Sequence, residues 1–249
     1  MAWSWIDRYA ALGGLALTLA ALCGLVLVRP PQTGARPPLR ARRAPALVGA
    51  AAALALASMA AAMAGHGGPV PWLALDGWAD TWMRQHLTSA WRGPLVAFTQ
   101  LGHVGVLLAL GAAVLLALLW RRDWLHAGMW LVGTAGTGLW TRALKHAVAR
   151  PRPEHGWVAE SGHSFPSGHS AGTLALYALL AWLVLPQLRR AWRLPVALAA
   201  ICVALAVGAS RVLLRVHFAS DVLAGWLLAL AWLACVIVAV QWAQRRRGP

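Results

Sequence analysis

SRVLLRVHFASD, residues 210–221, runs straight into VLAGWLLALAWLACVIVAVQWA, residues 222–243. The second part decides the fold. It is an uncharged run of about twenty residues, the length that crosses a bilayer as a helix. The first part concentrates charge where a membrane tolerates little of it. Of the seven acidic residues in the chain, Asp221 is the only one beyond Glu160. An ionised carboxylate at the edge of a span is costly without a partner, which makes Asp221 a functional candidate. His217 stands four residues earlier, on the same face if the stretch is helical. A carboxylate that holds one imidazole nitrogen fixes the tautomer and frees the other nitrogen as a base or nucleophile. Taken alone, the run also fits a polar helix end reaching to the interface.

Working outward, the rest of the chain has the same apolar character. Its 249 residues are 60% hydrophobic, with a mean hydropathy of +0.61; soluble chains lie nearer half apolar. Apolar spans are predicted at residues 10–28, 46–64, 99–120, 124–147, 168–185, 194–214 and 222–243. The fold class is therefore all-α, a polytopic membrane helix bundle. The net charge of +15 comes from short arginine clusters between the spans, within 29–45, 121–123, 186–193 and 245–249. That is a positive-inside pattern and not a nucleic-acid signature. With those clusters on the cytoplasmic side, residues 148–167 and 210–221 meet on the opposite face. Two regions follow: an N-terminal transmembrane helix and basic linker over 1–45, and a transmembrane domain over 46–249. Within the domain, Trp72, Leu75, Trp78, Trp82 and Met83 form an apolar stripe, with Asp76, Asp80 and Arg84 off it. Residues 72–92 thus read as an amphipathic segment in the outer interface, or as a surface loop with interfacial tryptophans. Cys23, Cys202 and Cys235 lie inside apolar runs and read as small buried residues.

Three short polar runs gather on the outer face. The first, residues 145–153, holds Lys145, the only lysine beside 21 arginines. It also holds Arg152, set between prolines that stop the helix and stiffen the turn. Two cations on a rigid elbow suit an anion with several oxygens. The second is Phe165-Pro166-Ser167-Gly168-His169. Ser is a favoured N-cap, and a helix N-terminus offers free N–H groups to an anion. The third is the opening run, where Arg211 and Arg215 add charge. Each run alone has a plain reading: snorkelling cations, or an ordinary cap. Together they supply cations and N–H donors for a five-coordinate phosphoryl transition state, one histidine to attack and another to move the proton. Metal binding is the rival for Glu154, His155, Glu160, His163 and His169. Their spacing matches no metal signature, and the surrounding cations would repel a dication. His66, His86, His103, His126 and His146 read as interfacial or packing residues.

The runs Lys145-x6-Arg152-Pro153, Pro166-Ser167-Gly168-His169 and Ser210-Arg211-x5-His217-x3-Asp221 together resemble the tripartite motif of the type-2 phosphatidic acid phosphatase family. These are integral-membrane lipid phosphate phosphatases related to the vanadium haloperoxidases. The resemblance implies His217 as nucleophile, Asp221 as its orienting acid, and His169 as proton donor and then base. It implies Lys145, Arg152, Ser167, Gly168 and Arg211 as phosphoryl holders. It implies no metal or other cofactor, and a six-helix core, to which the first span is an addition. Arg150-Pro151 repeats the Arg-Pro pair two residues early; Arg152 fits the six-residue gap. The expected function is a metal-independent lipid phosphate or pyrophosphate phosphatase in a bacterial inner membrane, with its site on the periplasmic side. Undecaprenyl pyrophosphate, phosphatidylglycerol phosphate and phosphatidic acid are the expected substrates. The alternatives are a phosphotransferase using the same phosphohistidine and a non-catalytic lipid transporter or binding protein. The implied partners are the lipid substrate and the bilayer, with no nucleic acid.

Overall fold

The computed structural model describes residues 39–65 and 71–246. The predicted span at 10–28 lies outside them, as do most of the basic linker, Cys23 and His66. Among the described residues, all regular structure is helical. The helices are α1 (Leu39–Met63), α2 (Pro71–His86), α3 (Arg92–Thr99), α4 (Val104–Trp120), α5 (Trp124–Val148), α6 (Gly168–Val184), α7 (Arg190–Leu213) and α8 (Ala219–Arg246).

Among the described residues, five segments are long and apolar enough to cross a membrane: Ala44–Met63, Ser89–Trp120, Gly168–Gln187, Arg190–Leu213 and Ala219–Ala243. α5 has the length too, at 25 residues, but Arg142, Lys145 and several Thr and Gly residues dilute its apolar character. Large apolar side chains on the outer surface, such as Leu116, Leu139 and Leu198, face where lipid would lie.

α6 is the central helix, its side chains closed in along most of its length by α5, α7 and α8. The core beneath the site is built from Val114, Trp130, Leu179, Leu183 and their neighbours. Close approach depends on small residues, as expected where no solvent drives helices together. At Gly133 a Cβ would lie 2.5 Å from Leu179 Cδ1. At Gly225 it would lie 2.6 Å from the Ser167 carbonyl oxygen, so glycine lets α8 press against the start of α6.

Four expectations need correcting. α1 begins at Leu39 and runs through Pro45, so the end of the predicted linker is helical. A proline near a helix start removes one N–H at a place where few are paired. The span predicted at 99–120 is not one straight helix. It breaks into α3, a 3₁₀ turn at Gln100–Gly102, and α4, whose N-cap His103 accepts a hydrogen bond from the Gly105 N–H at 3.2 Å. The segment at 72–92 is also two pieces, because α2 ends at His86 and a short turn leads into α3. Finally, Cys202 and Cys235 are free and exposed on the bundle surface, not buried. An apolar run can face lipid as readily as protein.

Candidate active site

The site forms where α5 ends, α6 begins, and the turn between α7 and α8 folds back. α5 stops at Ala149, which adopts a left-handed conformation (φ 50°) and returns its N–H to the Lys145 carbonyl. Pro151 and Pro153 then hold the chain extended. The loop from 149 to 167 lies over the α7–α8 turn and is tied to it by Trp157 N–H to the Leu214 carbonyl at 2.9 Å. Ser167 caps α6, accepting from the Ser170 N–H at 3.4 Å and from its hydroxyl at 2.9 Å. The Ser167 N–H donates to the Asp221 carbonyl at 2.9 Å, fastening the start of α6 to α8. The N–H groups of Gly168 and His169 are left without intrahelical acceptors.

His217 and Asp221 form the dyad at the centre. His217 Nδ1 lies 3.4 Å from Asp221 Oδ2, and the same oxygen accepts the Phe218 N–H at 3.0 Å. Both side chains are buried. The other imidazole nitrogen, Nε2, faces Arg152 at 3.2 Å. Burial pushes the His217 imidazole down to about 4, against the hydrogen bond and charge of Asp221, which pull the other way. The ring is therefore neutral at ordinary pH, the state a nucleophile requires.

Cations surround the dyad. Arg152 donates to the carbonyls of Gly162 (3.0 Å), Ser161 (3.1 Å) and Val216 (2.9 Å). Burial, first of all, lowers its pKa from the usual guanidinium value. Lys145 donates to the carbonyls of His163 and, at 3.3 Å, Ser164. Arg211, fully enclosed, donates to Thr99 Oγ1 at 3.2 Å and pairs with Glu160. His169, on the first turn of α6, has Arg211, His217, His103 and Arg152 as its ionisable neighbours. The ring of His103 is 6.4 Å from it.

The structure thus brings Lys145, Arg152, His169, Arg211, His217 and Asp221 to one place, with Gly168 at the adjoining helix start. Ser167 differs in kind, since its buried hydroxyl serves as the cap. Several residues were missed in the sequence. Arg150 donates to Asp221 Oδ1 (2.7 Å), Ser220 Oγ (2.7 Å) and Asp76 Oδ2 (2.8 Å), and its guanidinium lies 4.0 Å from the Phe218 ring centre. Asp76, on α2, also accepts the Ser220 N–H at 2.8 Å and its hydroxyl at 2.7 Å. Being off the tryptophan stripe was the available signal for Asp76. It marked the side chain as polar-facing without saying that the polar face turns inward. Thr99 and His103 flank the unforeseen break before α4.

Residues 124–246 match the model of the PAP2 superfamily. Phosphatidylglycerophosphatase B of Bacillus subtilis (strain 168) is 37% identical over 116 residues, 45% of this chain and 56% of that protein. A lipid A 1-phosphatase of Rhizobium etli is 37% identical over 100 residues, 36% of this chain and 39% of that protein. The chain therefore spans about half or less of the length of these relatives. Among solved structures, a transmembrane PAP2 type phosphatidylglycerolphosphate phosphatase from Bacillus subtilis matches with a TM-score of 0.69 at 26% identity. That match covers 79% of this chain and 96% of the other.

Proposed function

We propose that the chain is a lipid phosphatase of the PAP2 superfamily, whose model residues 124–246 match, and that it acts through a phosphohistidine. The observation that carries this reading is the orientation of His217, one nitrogen toward Asp221 at 3.4 Å and the other toward Arg152 at 3.2 Å. A neutral imidazole so held points its lone pair at the place where an arginine would receive a phosphoryl oxygen.

Nε2 of His217 attacks phosphorus as the bond to the lipid oxygen breaks. That oxygen leaves with a proton from His169. Asp221 holds the Nδ1 proton and stabilises the charge gained by the ring. Lys145, Arg152, Arg211 and the N–H groups at the start of α6 carry the equatorial oxygens. A water then attacks the phosphohistidine and gives its proton to His169. The P–N bond breaks, and inorganic phosphate leaves. No metal or cofactor enters these steps.

The substrate is a lipid phosphate or pyrophosphate, with undecaprenyl pyrophosphate, phosphatidylglycerol phosphate and phosphatidic acid as candidates. Its tail reaches the site sideways from the bilayer past α2, whose Trp78 and Trp82 are exposed. The arginine clusters support a periplasmic site in a bacterial inner membrane.

The test is phosphate release by purified protein in detergent from a panel of lipid monophosphates and pyrophosphates, with an acceptor lipid present to reveal transfer. His217→Ala should abolish release, and EDTA should leave it intact. Full turnover by that variant would sink the mechanism, and strong inhibition by EDTA would restore the metal reading.

A further inference from the structure

Among the described residues, Asp76 hydrogen-bonds to none of the groups that act in the steps above, yet it is buried in the frame that holds them. α2 turns it inward and leaves Trp78 and Trp82 outside. Its partner Arg150 forks between two carboxylates: Nη1 donates to Asp221 Oδ1 at 2.7 Å and Nη2 to Asp76 Oδ2 at 2.8 Å. Ser220 closes the ring. Its hydroxyl accepts from Arg150 Nη1 and donates to Asp76 Oδ2, both at 2.7 Å, and its N–H donates to Asp76 Oδ1 at 2.8 Å.

The charges of this ring do not balance. One guanidinium faces two carboxylates, and no other arginine or lysine pairs with either among the described residues. The side chains of Asp76 and Asp221 are 5% and 0% exposed, so water does little to screen the surplus. A frame that only had to fix Asp221 would need one carboxylate on one guanidinium, an arrangement that costs less to bury. In that arrangement Arg150 would cancel the charge of Asp221. The second carboxylate divides the guanidinium between two acceptors. A net negative charge then remains at Asp221, whose Oδ2 lies 3.4 Å from His217 Nδ1.

We infer that Asp76 is a positioning residue for the first phosphoryl transfer: by drawing on Arg150, it leaves Asp221 with the negative charge that the attacking ring requires. This rests on the phosphohistidine reading. As Nε2 of His217 gives its lone pair to phosphorus, the P–O bond breaks and the leaving oxygen takes a proton from His169. The ring gains one positive charge, and its Nδ1–H faces Asp221. A net negative charge there stabilises this transition state. In the second step water attacks, the P–N bond breaks and the ring returns to neutral, so the same charge gives no help. Asp76 therefore speeds formation of the phosphohistidine and not its hydrolysis.

The experiment mixes purified protein in detergent with phosphatidic acid carrying a radiolabelled phosphate, quenches in base, and follows the phosphohistidine on wild type, Asp76→Asn and Ser220→Ala. A chase with unlabelled lipid gives its rate of disappearance. Rate constants are compared, because they do not depend on how much of each preparation is folded. Asparagine keeps the size of Asp76 and can still accept the Ser220 N–H. In Asp76→Asn the rate constant for appearance should fall roughly 10- to 100-fold, the effect of a unit charge removed a few ångströms away at the effective dielectric of a protein interior. The rate constant for disappearance should hold or rise. Ser220→Ala loosens the ring but keeps its charges, so both constants should stay within about twofold of wild type while the melting temperature falls. If Asp76→Asn changes neither constant, or slows both together, the inference is overturned. It is also overturned if Ser220→Ala slows appearance as much as Asp76→Asn does, since the ring would then act as a mechanical clamp. In each of these cases a wild type that forms phosphohistidine leaves the phosphatase reading standing. A wild type on which no phosphohistidine forms overturns that reading and this inference with it.

Discussion

Arg150 and Arg152 lie two residues apart in one Ala-Arg-Pro-Arg-Pro elbow, yet they have opposite partners. Arg150 is spent on carboxylates, Asp221 on one side and Asp76 on the other. Arg152 is held by three backbone carbonyls and faces His217. Carbonyls fix a guanidinium without cancelling its charge, whereas carboxylates cancel it. So Arg150 is built as scaffold, and Arg152 is held in place with its charge still available to an anion. Lys145, on two carbonyls, is of the second kind.

This contrast can be broken most sharply by truncating each arginine. Arg152→Ala should cost about 10²–10³-fold in kcat/KM, as loss of one transition-state donor does. Its melting temperature should stay near wild type. Arg150→Ala should do the reverse in emphasis. It strands two buried carboxylates, a loss of roughly 3–5 kcal/mol of stability. Thermal unfolding in detergent and steady-state kinetics on both variants check the pair. If Arg150→Ala is as stable as wild type and Arg152→Ala unfolds early, the assignment is wrong.

A smaller effect tests the dyad that these arginines flank. His217 is buried with its imidazole pushed below its ordinary value, to about 4. Between the unfolded value near 6.5 and that lower value, the unfolded chain binds a proton that the folded chain refuses. The stabilising difference is therefore complete above pH 6.5 and is lost as pH falls toward 4. Unfolding of wild type and His217→Gln, measured across this window, should show the wild type losing ground to the variant on acidification. A constant gap between them would mean that the ring is not held neutral.

The same contrast explains what could be read from the chain beforehand. The long apolar spans were legible because length and composition alone define them. The preference for Arg152 over Arg150 came from the resemblance, whose motif carries a six-residue gap after the lysine, and the elbow's own residues did not supply it. The partners of Arg150 were not legible. Asp76 is 74 residues away, and nothing local reveals which side of an amphipathic helix turns toward protein and which toward the interface. The break at Gln100–Gly102 was hidden for a similar reason. Its cause is tertiary: at Gly102 a Cβ would lie 2.5 Å from Val207 and 2.7 Å from Thr173 Oγ1 on neighbouring helices. An uninterrupted apolar run carries no mark of such a contact.

Arg211 falls between the two kinds of arginine, and it supplies the mildest test. It is enclosed like a scaffold residue and paired with Glu160, but Glu160 sits on the loop with its side chain 30% exposed. A carboxylate with that much access to water can swing away, while the buried partners of Arg150 cannot. Under the proposed function, an arriving phosphate and Glu160 would compete for one guanidinium. Glu160→Gln removes the competing charge and keeps the shape. Inorganic phosphate should inhibit this variant more strongly than wild type, by up to about fivefold, because a partly exposed pair contributes only about 0.2–1 kcal/mol. Weaker inhibition would mean that Glu160 helps to build the phosphate site, and Arg211 would then be scaffold in the same sense as Arg150.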